Sequence, residues 1–187
     1  WLPYRVSAGY TNQQGIIKTS NFERFTGALT LNPSLLNDHL KVTLNAKGMW
    51  TKNRYADGEA IKAARQFDPT QPVRANGFDN FGGYYQWLDI GTALNDPTWP
   101  QTYYSLATKN PVSILNLKND RAISRDFLGS ADVDYKVHGF EDLRLHVTAG
   151  IDIAKGRQDT DVDPASPQET YYGSYGWETQ LKRNMQL

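Results

Sequence analysis

From position 125 to 155 the chain alternates in character almost residue by residue. Phe127, Gly129, Ala131, Val133, Tyr135 and Val137 are apolar or small. Between them stand Asp126, Ser130, Asp132, Asp134 and Lys136, with Leu128 breaking the rule. After His138-Gly139-Phe140-Glu141-Asp142 the pattern resumes as Leu143, Leu145, Val147, Ala149, Ile151 and Ile153, spaced by Arg144, His146, Thr148, Gly150 and Asp152. A period of two is a β-strand with one apolar and one polar face, so the segment reads as a hairpin with a short Gly-containing turn. Each strand is about twice the usual five to six residues, and close to the 9–11 residues of a strand tilted across a bilayer. The same period recurs upstream. Tyr4, Val6, Ala8 and Tyr10 share a face, as do Phe25, Gly27, Leu29 and Leu31, and Leu40, Val42, Leu44, Ala46, Gly48 and Trp50.

These patterns predict an all-β fold, an antiparallel portion of a transmembrane β-barrel. Its strands are expected near 4–12, 21–32, 40–55, 123–137, 143–155 and 178–187, about five or six in all, within one partial barrel domain spanning 1–187. The connections are short around 13–20, 35–39 and 138–142, and long over 57–119 and 156–174. Short turns at 35–39 and 138–142 on one side and longer loops on the other is the asymmetry of such barrels, and it makes the loop at Gly15, 57–119 and 156–174 extracellular. Within 57–119, Ala60, Ile61, Ala64 and Phe67 recur at helical spacing, Asp57 can cap the start and Asp68-Pro69 ends the run, so a short helix is expected over 57–67. A short strand is expected over 113–117. On this reading Val6, Leu29, Leu31, Val42, Leu44, Val133, Leu145, Val147 and Ile151 all point one way, towards lipid, while Arg5, Thr43, Asp132 and His146 face a wet lumen.

Composition narrows the alternatives. Twenty Lys and Arg balance twenty Asp and Glu, which removes the electrostatic case for nucleic acid. No apolar run approaches the ~20 residues of a membrane helix. A mean hydropathy of −0.62 still suits a barrel, whose lumen and loops are polar. There is no Cys, so neither disulfides nor thiolate metal sites arise. The chain opens on Trp1 and reads as a piece of a longer polypeptide.

Candidate chemistry is sparse. Asp159, Asp161 and Asp163 have the spacing that opens a calcium loop, but Pro164 stands where that loop needs Gly and Thr170 where it needs a bidentate Glu, so a solvated loop is expected. His39, His138 and His146 lack a second ligand at metal spacing. No nucleophile is paired with a base, no phosphate loop opens a helix, and no carboxylate pair stands out, so the expectation is a protein that is not an enzyme and takes no cofactor or metal. The exception is a cluster of aromatic side chains, Tyr84, Tyr85, Trp87, Trp99, Tyr103 and Tyr104, inside 57–119. Flat rings with polar tips suit either packing of the loop on itself or a surface for sugar or a partner protein. A soluble, secreted all-β carbohydrate-binding module is the rival reading; strand length and the lopsided loops favour the barrel. A β-rich glycosidase fragment would need the missing carboxylate pair.

Several ordered stretches also resemble a known family. They are Tyr4-Arg5-Val6-Ser7-Ala8-Gly9-Tyr10 through Gly15, then Phe22-Glu23-Arg24, then Leu40-Lys41-Val42 after Asn37-Asp38 and an Ala-rich helix ending near Pro69. Asn110-Pro111, Arg125, and Asp134-Tyr135-Lys136-Val137 before Leu143-Arg144-Leu145 complete the set. Together they resemble the SusC/RagA-like TonB-dependent outer-membrane transporters, and the likeness covers nearly the whole chain as a central part of the barrel. The resemblance implies a Gram-negative outer membrane, import of oligosaccharides or peptides, and a SusD-like surface lipoprotein as partner. It also implies TonB acting through parts of the full-length protein that have no counterpart here.

Overall fold

The computed structural model describes residues 2–89, 102–104, 106–140, 142–167 and 176–186. Its framework is six long strands: β1 (Tyr4–Gln14), β2 (Asn21–Leu31), β4 (Leu40–Tyr55), β7 (Lys118–Lys136), β8 (Arg144–Val162) and β9 (Gly176–Gln186). They lie side by side in that order, each antiparallel to the next, and the two-residue β3 (Ser34–Leu35) pairs with the start of β4. The fold is all-β, as the alternation required, and fits a portion of a barrel wall. No described helix is long and apolar enough to cross a membrane.

Register decides which residues share a face. Val6 pairs with Leu29, Leu29 with Ala46, Ala46 with Gly129, and Gly129 with Ile151. Leu31 pairs with Leu44, while Val42, Val133 and Val147 form one row and Leu145 pairs with Tyr135. All nine residues expected to point together therefore do so. Nothing among the described residues covers them: Val6 is 66% exposed, Val147 61% and Leu145 55%. Among the described residues the other sheet is a pair of two-residue strands, β5 (Leu88–Asp89) with β6 (Thr102–Tyr103), and no second layer of the kind a β-sandwich needs lies among them.

From Leu40 to Trp50 this apolar face extends along β4 for about 34 Å at ~3.4 Å per residue. A tilt of ~35–45° projects that to about 24–28 Å, against an apolar band of ~25 Å in membrane barrels. The band ends at the long-loop end in a row of rings: Tyr10 lies 4.5 Å from Phe25, and Phe25 5.5 Å from Trp50. At the other end two tight connections meet. Residues Leu36, Asn37 and Asp38 adopt positive φ, and Gly139 takes φ +81 in the second turn. The backbone N–H of Lys136 donates to the His39 carbonyl at 2.8 Å, and the His39 and His138 rings stack at 4.0 Å.

Strands β7 and β8 are each 19 residues long and overrun the expected 123–137 and 143–155 at the long-loop end. Beyond Ile123 and Lys155 both faces are polar apart from Ala122 and the buried Val162, so the apolar period vanishes while the backbone ladder continues. Side chains reinforce it there: Gln158 and Thr160 donate to Asp120, and Thr179 donates to Asp159. The expected solvated loop over 156–174 is corrected accordingly. Asp159 and Asp161 belong to β8, only 163–167 of the remainder lies among the described residues, and no His, Cys, Asp or Glu cluster among the described residues could hold a metal.

Candidate functional site: the excursion between β4 and β7

Between β4 and β7 the chain leaves the sheet and returns to the neighbouring strand position, Tyr55 pairing with Asp120. The base of this excursion is fastened by Asp57. One of its carboxylate oxygens accepts from the Glu59 N–H at 2.9 Å, and the other from Lys118 Nζ at 2.8 Å. Both side chains are largely buried, at 12% and 26% exposure.

Helix α1 (Glu59–Gln66) follows, as the spacing predicted, but it buries Ala60 and Ala63, whereas Ile61 is 51% exposed and Ala64 is exposed. Its partner is α2 (Pro111–Asn116), whose Ile114 packs against those two alanines. Ala60 and Ala63 leave room for Ile114 between the two helices, and Ile61 stays outside that contact. Helix α2 corrects the expected strand over 113–117. The determinant is the N-terminus: Asn110 caps the helix, accepting from the N–H of Val112 at 3.0 Å and of Ser113 at 3.4 Å, with Pro111 at the first helical position.

Asn110 also holds the rest of the excursion. It is 1% exposed. Its side-chain amide donates to the carbonyls of Val73 at 2.9 Å and Tyr85 at 3.0 Å. Its backbone N–H donates to Gln86 Oε1, while Gln86 Nε2 donates to Ser113 Oγ at 2.8 Å. Three segments distant in sequence are thus crosslinked through polar groups that are fully satisfied, a condition for burying them at all. At the far corner, Asp68 accepts from the Thr70 N–H at 2.9 Å and hydroxyl at 2.8 Å. The backbone hydrogen bond from Thr70, then the hydroxyl one, hold its carboxyl below the ordinary 3.8.

The six candidate aromatic residues separate on this scaffold. Tyr84 is 3% exposed; its hydroxyl accepts from Arg74 at 3.0 Å and Asn116 at 2.8 Å, and the Arg74 guanidinium lies 4.7 Å from its ring centroid. It holds the excursion together and has no free face. Tyr85 is half-buried, against Phe78 at 5.3 Å and edge-on to Phe67 at 6.4 Å. Trp87 stands edge-on to Tyr85 at 5.5 Å and is 38% exposed; Tyr104 is 45% exposed and bonds through its N–H to the Trp87 carbonyl at 2.9 Å. The backbone of Tyr103 pairs with Leu88. Trp99 lies outside the described residues. Tyr85, Trp87 and Tyr104 therefore form one rim, backed by the Phe67–Phe78 cluster and the Asn110 crosslink.

The polar face of the sheet carries its own hydrogen bonds. Thr30 donates to Asn45 at 3.0 Å, Asn45 to Ser130 at 3.3 Å, and Thr148 to Asp132 at 2.7 Å. Register sets Lys41 beside Asp134 and Thr43 beside Asp132 on the same face. Such a face needs water or a polar ligand against it, and the opposite face needs hydrocarbon. A single sheet with those two demands is the wall of a membrane β-barrel.

Comparison with known proteins gives the same class and refines it. The chain is 50% identical over 187 residues to the TonB-dependent receptor SusC of Bacteroides thetaiotaomicron, and 27% identical over 183 residues to the TonB-dependent receptor P26 of Formosa agariphila. These matches take in 98% and 94% of the chain but only 19% and 16% of the two relatives, so it spans under a fifth of their length. No protein-family model matches. The first likeness matches nearly the whole chain to a segment of a SusC-like TonB-dependent receptor.

Proposed function

We propose that this chain is a central portion of the barrel wall of an outer-membrane transporter. That transporter imports oligosaccharides, or peptides, together with a SusD-like surface lipoprotein, and TonB drives it from the periplasm through parts of the receptor outside this chain. The observation that carries the reading is the two-faced sheet, with every long connection at one end. The short turns at 32–39 and 137–143 face the periplasm, and the excursion between β4 and β7 faces outwards, over the lumen mouth. There the rim of Tyr85, Trp87 and Tyr104, with Trp99 and Tyr103 in the same stretch, meets the sugar or the lipoprotein. Exposed rings stack on the apolar faces of pyranose rings, and neighbouring polar groups take the hydroxyls.

The test is the pair Trp87→Ala and Tyr104→Ala in the full-length receptor, with surface expression and heat-modifiable mobility as folding controls. Oligosaccharide uptake and lipoprotein capture are both measured. Loss of either by about two- to ten-fold per ring supports the rim, on ~0.5–1.5 kcal/mol for a ring contact. Uptake and capture both at the unmodified level in a normally assembled double variant reject it.

A further inference from the structure

On the outward, apolar face every Lys and Arg of the long strands lies at the long-loop end. The first row beyond the hydrocarbon band runs Tyr10–Phe25–Trp50–Arg125–Lys155–Arg183 across six neighbouring strands. Half of that row is aromatic. Tyr and Trp of barrels mark the level where hydrocarbon gives way to headgroups, so the row sits at that level. Its other half is three cations on adjacent strands, spanning about 10 Å at ~4.8 Å per strand. All three are exposed, none makes an ion pair among the described residues, and the row contains no acid. Glu23, Asp159 and Asp161, the acids of this face, lie one or more rows further out, and Asp159 already holds Arg157 at 2.9 Å. At the short-turn end the same face finishes in Leu40, Tyr135 and Leu145 with no cation.

Two rows below Arg125 and Lys155, past Phe127 and Ile153, the apolar face is hollow. Ala46, Gly129, Ala131 and Ala149 form the floor of a shallow groove between Leu44 and Ile151. A row of unpaired cations at headgroup depth above an apolar trough has the two chemistries of one phosphorylated amphiphile. Resting on the outer-membrane reading above, we propose that this face binds a phosphorylated lipid of the outer leaflet. Its phosphates sit on Arg125, Lys155 and Arg183, and an acyl chain lies in the Gly129–Ala131–Ala149 trough. Guanidinium groups suit phosphate through paired N–H donors, and the low dielectric beside the band strengthens the attraction. The one-sided placement of the cations selects the outer leaflet over the inner.

The experiment uses the full-length receptor in detergent, with bisphosphorylated lipid A and its dephosphorylated form as probes, and binding read by native mass spectrometry and titration. The unmodified receptor is expected to prefer the phosphorylated probe. The triple variant R125Q/K155Q/R183Q is expected to lose about five-fold per cation, roughly 100-fold in all, for that probe alone. The luminal triple variant R5Q/R24Q/K47Q, equal in charge, is expected to bind as the unmodified receptor does. Equal affinity of the unmodified receptor for the two probes overturns the proposal. So does unchanged binding by the outward variant, or an equal loss in the luminal one. Should the outward variant fail to assemble, the two probes on the unmodified receptor decide alone. Heat-modifiable mobility reports barrel assembly separately, so a receptor that is no barrel is told apart from a barrel that ignores lipid phosphate.

Discussion

Replacing Asn110 by Ala should open the outer excursion and leave the sheet intact. The side chain caps α2, which is worth about 1 kcal/mol, and its amide satisfies the Val73 and Tyr85 carbonyls, at about 1 kcal/mol net each. The sum, about 3 kcal/mol, corresponds to roughly 100-fold more frequent local opening. Hydrogen exchange on the full-length receptor reads this directly. Amides of α1, α2 and the 73–86 strip should exchange on the order of 100-fold faster, while those of β4, β7 and β8 keep their protection. Asn110→Asp keeps the capping acceptor but sets a buried carboxylate oxygen against the Val73 and Tyr85 carbonyls, so it should open the excursion at least as much as Asn110→Ala. Exchange in α1 and α2 unchanged within about two-fold in Asn110→Ala would refute the assignment of this residue as the crosslink. Loss of protection in β7 as well would show that excursion and sheet unfold together.

Further outcomes follow from the same geometry. Ile151→Arg places a charge in the middle of the apolar band and should lower the yield of assembled barrel, at about 2–4 kcal/mol, whereas Thr148→Arg on the luminal face should assemble normally; heat-modifiable mobility separates them. Lys118→Met removes one charged partner of the largely buried Asp57 carboxylate and should raise proteolytic nicking within 57–117 by several-fold, with little effect in the double variant with Asp57→Asn. The Asp68 carboxyl is held below its ordinary value in the fold, so its contribution is present above that value and is lost as pH falls through the lower one. Protection at Thr70 and Gln71, corrected for intrinsic exchange, should therefore hold at about pH 5 and fall only below about pH 4.

Much of the sheet was legible because lipid imposes a rule on sequence. Wherever one strand face meets hydrocarbon and the other meets water, alternation is written into the residues, as in Leu40 to Trp50 and Leu145 to Ile153. Where both faces are wet the rule lapses, and the ladder of 118–122 against 158–162 left no pattern to read. The excursion obeyed a third logic. Its core joins Ala60, Ala63 and Ile114, the buried Phe81 and Tyr84, and a polar knot at Asn110, Gln86 and Ser113, and periodicity cannot report hydrogen bonds between segments far apart in sequence. The Asn-Pro pair is the local signal for α2, a capping residue followed by Pro at the first helical position. Among the aromatic residues, composition marked the cluster but could not sort its members; burial and the two hydrogen bonds to the Tyr84 hydroxyl did so.

The central claim is that one face of this sheet meets lipid and the other meets water. This chain contains no cysteine, so single cysteines can be placed at 145 to 152 in a cysteine-free full-length receptor and spin-labelled in membranes. Power saturation with oxygen, which concentrates in hydrocarbon, and with a water-soluble nickel chelate then reads each position. Labels at 145, 147, 149 and 151 should respond to oxygen, and labels at 146, 148, 150 and 152 to the chelate, alternating without exception. Two consecutive positions with the same response, or odd positions relaxed by the chelate, would contradict a barrel wall in this orientation.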